Sequence, residues 1–81
     1  MTEQQVYLAS QMYQCRRVAR NMLGAAYKSK MQEYARIIHD VATRDNCGVI
    51  VAGATVIKES NLSPQGKLLM LAAIAELIEP S

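Results

Sequence analysis

The chain has 81 residues, 51% of them hydrophobic but none Trp or Phe, and a formal net charge of +2. That length allows one domain, 1–81, whose own core buries only about 60–65% of the unfolded chain's surface, and an apolar alphabet of Leu, Ile, Val, Ala and Met favours helices. Cys15 and Cys47 are the only cysteines; without a CxxC spacing they exclude a disulfide-dense framework and a zinc motif, and no apolar run nears the ~20 residues of a membrane span.

The opening MTEQQ lacks the basic stretch and apolar run of a secretory leader, so the expectation is a cytoplasmic chain with two free thiols. Thr2 followed by Gln5 fits a capping box at the start of a first helix. Leu8, Met12, Cys15, Ala19, Met22 and Ala26 then recur at alternating spacings of four and three, the stripe of an amphipathic helix over about 3–26. Gly24 reads two ways, as the end of that helix or as a place where another helix approaches closely.

The polar side of the same helix is basic and aromatic. Tyr13 and Arg17 are four apart, Arg16 and Arg20 four apart, and Arg20 and Tyr27 seven apart, so they share a side away from the apolar stripe. Residues 1–30 hold five cations against Glu3, while residues 31–81 hold six acids against four cations. The positive charge is therefore concentrated on one part of the surface. Guanidinium groups give forked donors to carboxylate or phosphate, and tyrosines give contact area. Tyr13, Arg16, Arg17, Arg20, Tyr27 and Lys28 form a candidate face for an acidic protein partner. The second reading is a nucleic-acid accessory protein using the face on phosphates, although five cations make a thin footprint. The plainest reading is the solvated side of a helix.

A second helix is predicted over about 30–44, with Ser29 and Gln32 as a capping box. Met31, Tyr34, Ile38 and Val41 face inward, and Gln32, Glu33, Arg36, Asp40, Thr43 and Arg44 face outward. Asp45-Asn46-Cys47-Gly48 is a turn signal. The segment VIVAGATVIK, 49–58, is rich in β-branched residues, and Gly53-Ala54 could turn a hairpin. Ile50, Ala54 and Ile57 also keep helical spacing, with Asp45 or Asn46 as a cap, so a short helix is preferred. Ser63 as N-cap and Pro64 at the first position open a final helix over about 64–78, stopped by Pro80.

From Leu68 to Ile78 only Glu76 is polar. A helix apolar all round needs covering on nearly every side. Two exposed leucines forgo several kcal/mol at about 25 cal/mol per Å². The expectation is a homodimer through Leu68, Leu69, Leu71, Ile74 and Ile78.

Little in the chain points to catalysis. His39 and Asp40 are adjacent, so on a helix they point about 100° apart and form no dyad with each other. Cys15 sits in the apolar stripe, Cys47 in a turn, and no phosphate-cradling loop is present. The segment after the second helix is too apolar for a DNA-recognition helix. The expected protein is a non-enzymatic interaction or regulatory protein without a cofactor, built as a small all-α bundle.

Overall fold

The computed structural model describes residues 2–79, except for the side chains of residues 5–9. Helix α1 spans Glu3–Leu23, a short 3-10 turn spans Gly24–Ala26, and α2 spans Tyr27–Asp45. Helix α3 spans Val49–Ser60 and α4 spans Pro64–Ile78, and no strand occurs among the described residues. The chain is a small all-α bundle, as its composition and periodicity predict. Leu8, the Gln5 half of the first capping box, and Pro80 lie outside the described residues or side chains.

The final helix is the spine. α4 packs against α1, α2 and α3, α2 also packs on α3, and α1 and α3 do not touch one another among the described residues. Leu69, Met70, Ala72, Ala73, Ile74 and Ala75 are buried in this arrangement. The premise for dimerisation through the whole helix is corrected here. Leu69 and Ile74 belong to the intramolecular core, and Leu68 is partly covered. Four consecutive small or medium side chains from Ala72 to Ala75 allow three neighbouring helices to approach closely, which is how so short a chain covers so apolar a helix. Of the expected interface residues, Leu71 and Ile78 remain exposed, at 44% and 42%.

The start of α4 follows the sequence signals. Ser63 is the N-cap, its hydroxyl accepts from the Gly66 N–H at 3.1 Å, and Pro64 occupies the first turn. The end of α2 is equally local. Asn46 adopts the left-handed conformation, its N–H donates to the Thr43 carbonyl, and the Cys47 N–H donates to Ala42 at 3.0 Å. That is a Schellman closure, which satisfies carbonyls that the helix end would orphan. Asn46 therefore ends α2, and Gly48 stands at the start of α3 without a side-chain cap, in place of the predicted Asp45 or Asn46.

The first connection differs from expectation. Gly24 has φ +54° and no atom near the place of a Cβ, so it ends α1 and is not a close-approach site. The chain re-enters helix at Tyr27, three residues before the predicted start, and the Ser29 hydroxyl donates to the Ala26 carbonyl at 3.2 Å. Ser29 thus lies inside α2 and caps nothing. The inward stripe of α2 is borne out: Met31 and Ile38 are buried and Tyr34 and Val41 pack against the core.

The apolar segment is helical, and the hairpin does not form. β-Branched residues cost only tenths of a kcal/mol each in a helix, less than burial of Ala52 and Val56 in the core returns. Gly53 is the point of closest approach to α4. A Cβ built there would overlap Ile74 Cδ1 and lie 2.6 Å from its Cγ1.

Candidate functional site

Helix α1 carries a charge at the centre of its buried side. Arg16 is only 9% exposed and Ala19 is fully buried, with Leu23 packed against the core and Met12 and Cys15 partly covered. Met22 is 44% exposed and Ala26 is also exposed. At about 100° per residue the buried side is thus turned by about 50° from the stripe read in sequence, toward Arg16 and Leu23. The expected exposed arginine face is corrected accordingly.

The reason is Glu76, the lone polar residue in the apolar part of α4. Arg16 Nε donates to Glu76 Oε1 at 3.0 Å, Arg20 Nη2 at 3.2 Å, and the Tyr27 hydroxyl at 2.7 Å. The Arg20 guanidinium also lies over the Tyr27 ring, 5.2 Å from its centroid, and Arg16 Nη1 reaches Glu79 Oε2 at 4.0 Å. Three donors from α1 and the first turn of α2 converge on one carboxylate of α4. The left-handed turn at Gly24 is what brings Tyr27 back beside the arginines it follows in sequence.

Burial alone would push the Glu76 carboxyl up. The Tyr27 and Arg16 hydrogen bonds and the two guanidinium charges outweigh it, and Glu76 titrates below its ordinary value of 4.5. Tyr27 is pushed above its ordinary 10.0, first by burial and then by its bond to the Glu76 carboxylate. No buried side-chain polar atom lacks a partner among the described residues. Satisfied in this way, a charge cluster can close a core that is otherwise apolar.

The six residues predicted to meet a partner divide in two. Arg16, Arg20 and Tyr27 bind Glu76, whereas Tyr13, at 60% exposure, Arg17 and Lys28 face outward. Lys28 lines an open cleft of about 440 Å³ between α2 and the end of α4, together with Tyr27, Met31, Gln32, Ala35, Glu76 and Leu77. Arg20 touches two of those lining groups, and Tyr13 and Arg17 follow it around the same flank of α1 by helical spacing. On α2, Arg36 continues the Lys28–Gln32 flank. Sequence periodicity missed Glu76 as the hub; its isolation in an apolar helix is the signal that marks it.

The remaining candidates do not assemble. His39 is exposed, and among the described residues no group of three or more His, Cys, Asp or Glu is placed to hold a metal. The Cys15 thiol is raised by burial, which disfavours the thiolate. Cys47 packs partly against the core. Arg44 grips Asp45 with two bonds of 2.8 and 3.1 Å and approaches Glu59 at 3.7 Å, tying the end of α2 to the end of α3. No helix among the described residues is long and apolar enough to cross a membrane. No protein-family model matches this chain, and no curated protein or solved structure shows significant similarity to it.

Proposed function

We propose that this is a small non-enzymatic interaction protein that receives an acidic segment of a protein partner at the cleft between α2 and the end of α4. The observation that supports the reading is how its charges are paired. Glu33, Asp45, Glu59, Glu76 and Glu79 each lie within ion-pair reach of a cation, while Arg17, Lys28, Arg36, Lys58 and Lys67 on one side and Glu3 and Asp40 on the other have no ion-pair partner among the described residues, so unpaired cations outnumber unpaired acids. The surface left to a visitor is more basic than the net charge suggests. Lys28 lines the cleft, Arg36 follows Gln32 by one helical turn on α2, and Tyr27, Met31, Ala35 and Leu77 supply apolar contact there. Apolar anchors ringed by charge are the makings of a protein-binding site, with the charges steering encounter.

The test uses a fluorescein-labelled peptide of alternating Glu and Leu, with a 20-nucleotide single strand and its duplex as comparators. Anisotropy titrations at two salt concentrations should show the peptide bound more tightly than either nucleic acid. Arg17→Glu with Lys28→Glu should weaken peptide binding by about tenfold or more without unfolding the chain. Unchanged binding in that variant contradicts the reading. Tight nucleic-acid binding with a steep salt slope would replace it by the phosphate-binding alternative.

A further inference from the structure

The reversal between α1 and α2 falls on one residue. Leu23, Ala26 and Tyr27 keep right-handed helical dihedrals, and Gly24 departs from them at φ +54°. The turn has little else to hold it. Gly24, Ala25 and Ala26 are all exposed, α2 begins without a side-chain cap, and the bond from the Tyr27 N–H to the Gly24 carbonyl closes the bend. Two alanines in this turn are the residues that most favour a helix.

The body of the fold is complete without α1. Helices α2, α3 and α4 pack on one another, whereas α1 packs chiefly on α4, touches α2 little and does not touch α3 among the described residues. Its buried side chains among those described are Arg16 and Ala19, and its polar anchor is the Glu76 carboxylate. Turning Gly24 into the helical region joins α1 and α2 into one helix over 3–45. At 1.5 Å per residue α1 then projects about 30 Å beyond Tyr27, nearly the 34 Å greatest extent of the whole closed molecule. It leaves its own α4, and the Glu76 seat stands open.

We propose that two copies of this chain exchange α1 through this hinge, so that each Glu76 receives Arg16 and Arg20 of the partner subunit. The occupant of the seat is the helix already seen in it, and the exchanged dimer repeats the contacts that α1 and α4 make within one chain. Straightening removes the left-handed turn and lets the carbonyls ending α1 bond the N–H groups that open α2. Lost translational freedom opposes the exchange, so concentration sets the balance. The clasp sets the speed, because Arg16 and Arg20 must leave one carboxylate before they meet another. The inference does not rest on the cleft, whose lining belongs to α2 and α4.

Size-exclusion chromatography with light scattering, run on the full chain over rising concentration, is the test. No atom lies near the place of a Gly24 Cβ, so Gly24→Ala strains only the closed turn, and with two hinges per dimer it should tighten dimerisation by about thirtyfold or more. Gly24→Asn should leave the balance close to wild type, since asparagine accepts this conformation and does so at Asn46 and Asn61. A second arm pairs Arg16→Glu with Arg20→Glu in one chain against Glu76→Arg in another. Each chain alone sets like charges together whether closed or exchanged with itself, and only the exchanged heterodimer matches both seats. Mixing should give that heterodimer by native mass spectrometry, with helicity above the average of the two separate chains. A Gly24→Ala chain that stays monomeric, a dimer equally strong with alanine and asparagine at position 24, or a mixture without heterodimer each overturns the proposal.

Discussion

The Tyr27 hydroxyl donates to the Glu76 carboxylate at 2.7 Å across 49 positions of sequence. It joins the start of α2 to the end of the spine, and Arg16 and Arg20 close the same carboxylate from α1. The long first helix is held by a polar clasp on an otherwise apolar seat.

Removing the acceptor should therefore loosen α1. Glu76→Ala leaves Arg16 with its nearest acid lost and little water to replace it, at a cost of about 2–4 kcal/mol. In a domain this size that lowers Tm by roughly 10–25 °C, read by circular dichroism. Tyr27→Phe deletes a single hydrogen bond while keeping the ring beneath Arg20, and should cost about 1 kcal/mol.

Acid should act through the same group. The folded-state value of Glu76 lies below its ordinary 4.5, so the clasp contributes fully above about pH 4.5 and is lost as pH falls through the folded value. Urea midpoints measured from pH 7 to pH 3 should fall more steeply in the wild type than in Glu76→Gln. Parallel curves would show that the carboxylate is not coupled to folding.

The two specialised glycines should respond differently to alanine. At Gly53 the added methyl runs into Ile74 Cδ1 and Cγ1, and the overpacking should cost about 1–3 kcal/mol, relieved when Ile74→Ala removes both atoms. At Gly24 there is space but φ is +54°, so the cost is conformational, about 1–2 kcal/mol, and no second-site shortening rescues it.

Ser63→Ala removes the oxygen that accepts the Gly66 N–H. A loss of about 1 kcal/mol is expected, with Ser63→Asp close to wild type, by chemical denaturation.

Local chemistry made the start of the last helix legible, because Ser63 and Pro64 act within one turn. The inward face of α2 was legible for a similar reason: Met31, Tyr34, Ile38 and Val41 need only to be apolar and spaced. The face of α1 was not. Periodicity assigns an arginine to water, whereas Arg16 meets a carboxylate 60 positions away, and no local pattern carries that information. The same long-range contact split the predicted basic face, turning Arg16, Arg20 and Tyr27 inward while Tyr13, Arg17 and Lys28 stayed outside. The self-association expected of the spine rested on counting apolar residues; the run of alanines, which lets three helices crowd one, is what lets a single chain cover most of them.

The division of labour among neighbouring arginines is the claim on which the rest turns, and Arg16→Ala against Arg17→Ala tests it most directly by thermal melting under one buffer. The Arg16 variant should melt at least about 8 °C lower than the parent, and the Arg17 variant within about 2 °C of it. Equal losses, or a larger loss at Arg17, would contradict the burial of one guanidinium in the fold and the exposure of the other for a partner.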